Sequence, residues 1–502
     1  MNASLFARFM QAAPADPGQP LIERPGLPPL SWQDMLEASG RLAALLSRLG
    51  LKPGDRVSVQ VAKSAEAVWL YLACLRGGFV FHPLNEGYQP AELAYLLADA
   101  TPALAVCDPA HEALFRTLAA PGCSVLTLAA DGSGSLSRAA ASLAPDSTVA
   151  ERQADDMAAL LYTSGTTGRP KGAMISHGNL ASNATALVGA WGFSPADRLL
   201  HALPLYHAHG LFVGLGCALM SGARLLFLGR FDPAAVLAAL PAATVMMGVP
   251  TYYSRLLQQP GLDHEACAHM RLFVSGSAPL SPDTFHAFRA RTGHALLERY
   301  GMTETGMNTS NPLAGERRAG SVGLPLPGVE LRIAGSDDAP LPAGGIGEIQ
   351  LRGPNVFSGY WGLPRKTAGA FTADGFFRSG DQGVVGPDGY LSIVGRSKDL
   401  VITGGLNVYP REVEILIDSL PGVAESAVIG VPHPDFGEAV VAVVVAREGA
   451  APSEDAILSA LKQQLAGFKI PKRVFLVPEL PRNAMGKVGK TILRERYAQA
   501  FA

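Results

Sequence analysis

The stretch TSGTTGRPKG, residues 163–172, decides the fold, and it follows the apolar run MAALLY of residues 157–162. The apolar run predicts a buried strand, and the ten residues after it hold three glycines, four hydroxyl side chains and two cations. Glycines allow tight turns and close approach to a ligand, and backbone N–H groups, hydroxyls and a lysine suit a polyphosphate. The spacing is not that of a P-loop, because Pro170 stands where that motif needs its second glycine. A plain turn seldom combines so many donors with Lys171, so we expect a polyphosphate-binding loop.

Composition describes a globular protein with few charges. The chain has 502 residues, enough for about two to four domains, with 48% hydrophobic and 17% charged residues and a net charge of −2. No basic patch favours nucleic acid as a partner. The longest uncharged run, residues 234–254, is interrupted by Pro241 and Pro250, so we expect a soluble core segment and no membrane span.

Cysteine usage and the N-terminal segment bear on the compartment. The five cysteines are scattered and form no C-x-x-C pair, which argues against a disulfide framework or a zinc site and favours buried thiols in a reducing compartment. The first residues lack a basic start with a sufficient apolar core, so no secretory signal is visible. We therefore expect a cytoplasmic protein, and a weak organelle-targeting interpretation of the N-terminus stays open.

Short apolar runs alternate with helical patterns over the first 300 residues. This alternation predicts parallel βαβ sheets with covering helices. Predicted strands are 57–61, 79–83, 103–107, 125–128, 157–162, 224–228, 245–249, 272–275 and 295–298. Predicted helices are 65–75, 233–240, 251–259 and 282–292. The segments HGLF, SGSAPL and RYGMTE each follow an apolar run, and ligands of open α/β sheets bind beyond the carboxyl ends of strands, so we expect these segments to share one crevice.

The pattern changes near Gly320. Alternating segments between Gly- and Pro-rich turns predict a small antiparallel, barrel-like subdomain, with Asp388-Gly389 as a hairpin turn. Beyond the segment GRSKD, residues 395–399, helix 410–420, strands 426–431 and 439–445, helix 453–465 and strand 473–477 form a separate α+β pattern. We predict an α/β protein with a large domain, residues 1–397, and a small mobile α+β domain, residues 398–502, joined at a hinge at Lys398.

Four further motifs accompany the loop at 163–172: RYGMTET at 299–305, SGD at 379–381, GRSKD at 395–399 and PRNAMGKVGK at 481–490. Together they resemble the adenylate-forming superfamily, which includes acyl-CoA synthetases, luciferases and peptide-synthetase adenylation domains, and the resemblance extends over essentially the whole chain. It implies a reaction in two halves. A carboxylate attacks the α-phosphorus of ATP to give an acyl-adenylate and pyrophosphate, and the thiol of coenzyme A then displaces AMP. ATP, Mg²⁺ and coenzyme A are the implied ligands, and cations and N–H donors are needed at the transferring phosphate.

The resemblance assigns the nucleotide contacts. The loop would hold the β- and γ-phosphates. Tyr300 would lie against adenine and Asp381 would accept from both ribose hydroxyls, with support from Arg396. Thr303 would bind phosphate, and Glu304 would hold Mg²⁺, since a hard cation suits a carboxylate together with phosphate oxygens. The expected nucleotide-binding residues are Thr163, Ser164, Gly165, Thr166, Thr167, Gly168, Lys171, Tyr300, Gly301, Met302, Asp381 and Arg396.

The second half of the chemistry is expected to involve the small domain. By resemblance, Lys487 reaches the attacking carboxylate and the α-phosphate, and we count it with Thr303, Glu304 and His207 as catalytic. Lys398 would be the hinge on which the small domain rotates between half-reactions. The segment Gly404, Gly405 and Leu406 would face coenzyme A, although a plain turn explains these glycines equally well.

Arg299 decides the acid that we expect. Many superfamily members place a small or apolar residue there, whereas the second carboxylate of a dicarboxylic acid needs a partner once it is desolvated, and arginine can bind it in bidentate fashion. Ser277, His207 and His209 are the expected supporting residues, and the set resembles that of malonate-activating members of the family. Less specific alternatives remain: Arg299 could pair with Glu298, Ser277 could cap a helix, and His207 could gate the pocket.

We therefore expect ligation of malonate, or of a methyl-substituted malonate, to coenzyme A, because a pocket discriminates one methyl group only weakly. The alternatives are a ligase for a short-chain, medium-chain or aromatic monocarboxylic acid, an enzyme that loads a separate carrier protein, and a non-catalytic binding module. Arg299 argues against the first, and the joint presence of Lys487, Glu304 and Asp381 argues against the last. The sequence leaves a monomer and a homodimer equally open.

Overall fold

The computed structural model describes residues 2–163, 170–396, 399–403, 406–434, 436–465, 467–483 and 486–501. The strands in these ranges are β1 Pro20–Glu23, β2 Leu30–Ser31, β3 Arg56–Gln60, β4 Val80–Pro83, β5 Leu104–Cys107, β6 Ser124–Thr127, β7 Met157–Thr163, β8 Lys171–Ser176, β9 Arg198–His201, β10 Arg224–Phe227, β11 Val245–Gly248, β12 Leu272–Ser275, β13 Leu297–Met302, β14 Gly306–Ser310, β15 Leu324–Pro325, β16 Glu330–Ala334, β17 Ile346–Arg352, β18 Gly359–Tyr360, β19 Phe377–Val385, β20 Leu391–Arg396, β21 Val401–Thr403, β22 Leu406–Val408, β23 Val423–His433, β24 Gly437–Ala446 and β25 Arg473–Val477.

The helices in the same ranges are α1 Leu5–Gln11, α2 Trp32–Arg48, α3 Ala65–Gly77, α4 Pro90–Ala100, α5 Glu112–Leu118, α6 Ser135–Ala141, α7 His177–Trp191, α8 Leu215–Ser221, α9 Pro233–Ala239, α10 Pro250–Leu257, α11 Pro282–Thr292, α12 Pro364–Ala370, α13 Pro410–Asp418, α14 Glu454–Lys462 and α15 Lys490–Arg496. A π-helical turn over His209–Gly214 precedes α8. Most predicted elements are confirmed within one to three residues, and the helix predicted at 282–292 has the bounds of α11.

Two large, mainly parallel sheets form the N-terminal domain, as the alternating pattern predicted. One has the strand order β18-β8-β7-β4-β3-β5-β6, and the other has the order β15-β14-β13-β12-β11-β9-β10-β1-β2. Antiparallel strands stand at their edges: β7 pairs with β8 in the first sheet, and β13 pairs with β14 in the second. The hairpin β7–β8 places Thr163 directly opposite Lys171, so the two ends of the predicted phosphate loop are neighbours.

Helix α3 lies inside the large domain. Its sequence AEAVWLYLACLRG is apolar around nearly its whole circumference, and almost all of its residues are buried, as expected for a core helix. Ser64 begins the helix, because its side chain accepts from the backbone N–H of Ala67, and Gly78 ends it with φ +74°. One continuous apolar cluster contains side chains from α3 and from both large sheets, so the two sheets share a core.

The rest of the chain forms two smaller sheets. One is an antiparallel sheet with the strand order β16-β17-β19-β20. It corresponds to the small antiparallel subdomain that we expected after Gly320. The small C-terminal domain has the order β22-β21-β24-β23, with β25 parallel to β24, and it has an apolar core of its own. The predicted class, α/β with a large and a small domain, is confirmed.

One predicted element is wrong in its extent. The strand predicted at 295–298 ends before the RYGM segment, whereas β13 continues through it to Met302. Strand β14 pairs with this segment in antiparallel fashion, with a bulge between Tyr300 and Gly301. The glycine and the polar residues resemble a loop in the sequence, but the partner strand satisfies their backbone groups. Among the described residues, no helix is long and apolar enough to cross a membrane.

Candidate active site

Glu304 lies where the two large sheets meet. It occupies the turn between β13 and β14 and is only 6% exposed. Its Oε1 accepts from Thr163 Oγ1 at 3.3 Å and from the Tyr360 hydroxyl at 3.1 Å. Thr163 of β7 and Tyr360 of β18 therefore hold the Glu304 carboxylate at the start of the predicted phosphate loop.

Lys171 lies at the other end of that loop. Its Nζ is 4.4 Å from the centroid of the Tyr360 ring, a cation–π distance. Burial lowers the pKa of Lys171, and the charge of Glu304 opposes that shift. Tyr360 thus connects the lysine with the carboxylate. The predicted contacts Ser164, Gly165, Thr166, Thr167 and Gly168 lie outside the described residues.

Tyr300 and Asp381 join the RYG and SGD motifs. The Tyr300 hydroxyl donates to Asp381 Oδ2 at 2.6 Å, and both residues are buried. Gly301 has no room for a side chain, because a Cβ there would lie 2.3 Å from the Gly306 carbonyl oxygen. Arg396 stands opposite Asp381 in the β19–β20 ladder. Thr303 and Met302 are half-buried beside Glu304 in the same segment.

Arg299 is buried with part of its guanidinium unsatisfied. The residue is 3% exposed, and Cζ packs against the backbone of Gly276, where a Cβ would lie 2.5 Å away. Among the described residues, neither Nε nor Nη2 of Arg299 has a hydrogen-bond partner. Burial lowers the pKa of this arginine to about 9. A buried arginine is normally paired, so these two N–H groups are oriented donors that suit an anion.

Two histidines face the same space. Arg299 packs against Gly276, and the hydroxyl of the next residue, Ser277, lies 3.2 Å from His209 Nδ1. The charge of Arg299 lowers the pKa of both His207 and His209. Burial, together with the positive charges of Lys487 and Arg299, lowers the pKa of His207 to about 3, and burial lowers the pKa of His209 in the same way. Both rings are therefore neutral at physiological pH and can bind a polar ligand without adding charge.

Hydrogen bonds order this group. His207 Nδ1 accepts from the backbone N–H of His209 at 3.2 Å, and His209 Nδ1 lies 3.2 Å from Ser277 Oγ. In the described part of the chain, His209 Nε2 is buried and has no partner. The structure thus brings Ser277, His207 and His209 together next to the segment that Arg299 packs against, and their role as a pocket for the acid stays a prediction.

Two of the alternative roles do not fit the structure. Ser277 does not cap a helix: Ser281 is the N-cap of α11, and Ser277 has φ +73°, a left-handed conformation that serine seldom adopts. Arg299 does not pair with its neighbour, since Oε1 of Glu298 accepts from the backbone N–H of Leu280 at 3.2 Å. Consecutive side chains of a strand point to opposite faces, and this separates the Arg299 guanidinium from the Glu298 carboxyl group.

The small domain brings Lys487 to the same cleft. Gly486 lies against Thr251 at the start of α10, where a Cβ on Gly486 would be 3.7 Å from the threonine side chain. The backbone N–H of Lys487 donates to Asn483 Oδ1 at 3.0 Å, and the lysine's charge acts on His207. The two domains are also joined by an exposed ion pair, Arg447 with Asp283 at 2.8 Å, which contributes little to stability.

Three other predicted residues, Lys398, Gly404 and Gly405, lie outside the described residues, and Leu406 begins β22.

Sequence reasoning missed two tyrosines of the site. Tyr360 bonds Glu304, and Tyr95 donates to the carbonyl oxygen of Pro170 at 2.9 Å, at the end of the phosphate loop. The segment around Tyr360, GYW, carries no signal of its own, because its role depends on a partner 56 residues away.

The arrangement combines two kinds of chemistry in one cleft. A carboxylate, hydroxyls and a lysine surround the ends of a Gly-rich loop, and a buried guanidinium with neutral histidines lies beside them. In the described part of the chain, no cluster of three or more His, Cys, Asp or Glu residues could hold a metal by itself. Such a cleft can bind a polyphosphate next to a small anionic acid.

The chain is similar over most or all of its length to several known proteins. ATP-bound MatB from Rhodopseudomonas palustris superposes with a TM-score of 0.98 at 52% identity, and the match covers 100% of both chains. A malonate–CoA ligase from Arabidopsis thaliana is 38% identical and the match covers 89% of this chain and 78% of that protein. A feruloyl-CoA synthase from an Amycolatopsis species is also 38% identical, over 93% of this chain and 94% of that protein.

The family profiles cover both domains. The profile of the AMP-binding enzymes matches residues 11–361, and that of the AMP-binding enzyme C-terminal domain matches residues 412–487. The chain belongs to the AMP-binding enzyme family.

Proposed function

We propose that the protein is an ATP-dependent malonate:CoA ligase that acts through malonyl-AMP, with malonate or a methyl-substituted malonate as its acid. The observation that carries the choice of acid is Arg299, which is buried beside Ser277, His207 and His209 with two unsatisfied N–H groups. The MatB structure and the malonate–CoA ligase among its relatives support the same choice.

In the first half-reaction, one carboxylate oxygen of malonate attacks the α-phosphorus of ATP, and the bond to pyrophosphate breaks. The residues at the loop, Thr163 and Lys171 among those described, would bind the polyphosphate. Asp381 and Tyr300 would hold the ribose and adenine. Lys487, whose charge lowers the pKa of His207, would neutralise the charge that gathers between the two anions.

Glu304 fits the requirements of a Mg²⁺ ligand. It is buried, it accepts two hydroxyl hydrogen bonds, and it lies at the start of the phosphate loop. A hard divalent cation is commonly bound by one or two carboxylates together with substrate phosphate oxygens. The ion would neutralise phosphate charge during the displacement. Thr163 and Tyr360 would orient the Glu304 carboxylate toward it.

The second half-reaction requires different partners. The thiolate sulfur of coenzyme A attacks the acyl carbon of malonyl-AMP, and AMP leaves with the bonding electrons. We place the domain boundary at Lys398, with the small domain rotating there so that Lys487 withdraws and the segment Gly404, Gly405 and Leu406 approaches the acyl carbon. The exposed ion pair between Arg447 and Asp283 is weak enough to break during such a rotation.

We place the enzyme in the cytoplasm. All five cysteines are described and unpaired, which fits a reducing compartment.

The test is a panel of acids supplied with ATP, Mg²⁺ and coenzyme A, scored by AMP release and by the mass of the thioester. Malonate and methylmalonate should be the preferred acids. Octanoate, benzoate and ferulate represent the ligases for acids with a single carboxylate, including the feruloyl-CoA synthase that is similar to this chain. A clear preference for any of these three would overturn the dicarboxylate assignment.

A further inference from the structure

A buried lysine, Lys63, lies behind the histidines of the acid pocket, and burial lowers its pKa well below the usual value. Lys63 follows β3 and is 8% exposed, and its Nζ lies 2.8 Å from His201 Nδ1 and 2.7 Å from the His201 carbonyl oxygen. The same Nζ is 4.3 Å from the centroid of the Phe227 ring, which stacks on the His201 ring. Among the described residues, no carboxylate forms an ion pair with Lys63. A buried lysine without a counter-charge is costly, so its placement calls for a specific role.

The contacts of His201 determine its tautomer. Its Nε2 lies 2.9 Å from the carbonyl oxygen of Gly210, which can only accept, so Nε2 carries the proton. Nδ1 is then the acceptor, and Lys63 is the donor. Burial and the charge of Lys63 lower the pKa of His201 to about 3, which keeps the ring neutral.

His201 in turn holds the π-helical turn His209–Gly214. The ring bonds the carbonyl of Gly210 near the start of the turn, and it packs against Gly214 at the end, where a Cβ would lie 3.1 Å from the ring. Gly210 fits closely as well, because a Cβ there would lie 2.1 Å from the Pro204 carbonyl oxygen. The first residue of this turn is His209, whose ring bonds Ser277, and the residue before Ser277 is Gly276, against which Arg299 packs. Irregular π turns of this kind are frequent at functional sites.

We propose that Lys63 is a positioning residue for the acid pocket: through the Nε2–H tautomer of His201 it fixes the turn that places His209 beside Ser277 and Arg299. Among the described residues, the hydrogen bonds of Lys63 go to His201, so its effect should reach the acid through the turn and should leave ATP binding unchanged. The inference rests on the proposed function only for the name of the acid, because the geometry applies to whichever acid occupies the pocket.

The kinetic test compares Lys63→Met with Arg76→Met. Arg76 is a matched control, because it is also a buried basic residue, and its partners are backbone carbonyls and a serine, Ser39, away from the site. We expect Lys63→Met to raise the KM for malonate about tenfold and to change the KM for ATP by less than about twofold. Arg76→Met should leave both KM values within about twofold while lowering the melting temperature. Equal rises of both KM values in Lys63→Met, or no change in either, would overturn the proposal.

A double-mutant cycle with His209→Ala distinguishes positioning from a purely structural role. Because Lys63 acts through the turn that carries His209, the double variant should raise the KM for malonate by less than the product of the two single effects. Independent, multiplicative effects would contradict the proposal.

Nitrogen-15 spectra of the histidines in the wild-type protein give a test that does not depend on folding of any lysine variant. His201, assigned through His201→Gln, should be the neutral Nε2–H tautomer at pH 7.5, and an Nδ1–H or charged ring would refute the proposed hydrogen bonding.

Failure of the proposed function is separable from failure of this inference. If the acid panel identifies an acid other than malonate, the proposed function fails. The KM comparison is then repeated with that acid, by exchange of pyrophosphate into ATP. A selective rise in the KM for that acid in Lys63→Met would still support the positioning role, and a KM that does not move would overturn it.

Discussion

The two sides of the cleft differ in how their polar groups are satisfied. On the nucleotide side, defined by Thr163, Tyr300, Glu304, Tyr360 and Asp381, side chains bond one another: Tyr300 donates to Asp381, and Thr163 and Tyr360 donate to Glu304. The acid side is defined by Ser277, His207, His209 and Arg299. There, in the described part of the chain, Nε and Nη2 of Arg299 and Nε2 of His209 have no partner.

This difference indicates what each side does. The nucleotide side is held by hydrogen bonds among its own side chains, and this internal network positions its residues for ATP. The acid side holds donors in a buried place where unpaired polar groups are costly. An acid that places a second carboxylate there recovers much of that cost, and an acid with an uncharged group at that position leaves the cost in place. Selectivity for the acid should therefore depend on charge, and nucleotide binding should depend on an existing network.

The largest expected effect is at Lys487, where the two sides meet. Lys487→Ala should slow formation of malonyl-AMP about 1000-fold, because the charge between the attacking carboxylate and the α-phosphate is no longer neutralised. Thioester formation from preformed malonyl-AMP should be nearly unchanged. Pyrophosphate exchange and single-turnover thioester assays measure the two halves separately. The control is Lys462→Ala, an exposed lysine of the same domain. Equal loss of both halves would argue against the alternating-domain mechanism.

Substitution of Arg299 should have the next largest effect, and it should impair use of the acid without impairing binding of ATP. Arg299→Met should lower kcat/KM for malonate about 100-fold, because the second carboxylate would be buried without its partner. Arg299→Lys should retain part of the activity, since a single ammonium can pair with the carboxylate without the bidentate fork. The KM for ATP should stay within about twofold in both variants. A similar loss for malonate and for octanoate in Arg299→Met would mean that the arginine is structural.

A change at Asp381 should show the reverse selectivity. Asp381→Asn removes the charge that Tyr300 donates to and that would accept from the ribose, so we expect the KM for ATP to rise about tenfold. The KM for malonate should change by less than about twofold. Asp374→Asn, an exposed aspartate of the same antiparallel subdomain, serves as the control. If the KM values for ATP and malonate rise together, the two sides are not separate units.

The smallest expected effect is on stability and arises at Glu298, next to Arg299 in β13. Burial raises the pKa of Glu298 from 4.5 to about 8. Between these values the unfolded chain loses the proton and the folded chain keeps it, so this group lowers stability as pH rises through that window and adds no further change above it. Glu298→Gln avoids this cost. The melting temperature of the variant minus that of the wild type should therefore increase by a few degrees between pH 5 and pH 9. A difference that stays constant with pH would show that Glu298 is ionised in the folded protein.

The sequence predicted the parts of the site whose signal is local. Thr163, Glu304 and Asp381 stand in short motifs rich in glycine and hydroxyl residues, and the structure brings these three segments into one cleft. The parallel sheets could be predicted from short apolar runs, because a buried parallel strand is recognisable from a few residues. The strand at 295–298 was predicted too short, since nothing local shows that β14 pairs with the RYGM segment.

Contacts between distant residues could not be predicted in the same way. The bond of Tyr360 to Glu304 and that of Lys63 to His201 join residues 56 and 138 positions apart, and neither tyrosine nor lysine is unusual in its own segment. The unsatisfied N–H groups of Arg299 are also invisible in the sequence, because satisfaction depends on what surrounds a group in space. The sequence indicated the residue type that suits a dicarboxylate, and the structure adds burial and missing partners.

The most direct test of the central claim compares malonate with malonamate, in which a neutral amide replaces the second carboxylate at nearly the same size. If the acid side is built for a second carboxylate, kcat/KM of the wild-type enzyme should favour malonate about 100-fold, and Arg299→Met should remove most of that preference. Equal kcat/KM values for malonate and malonamate in the wild-type enzyme would contradict the account.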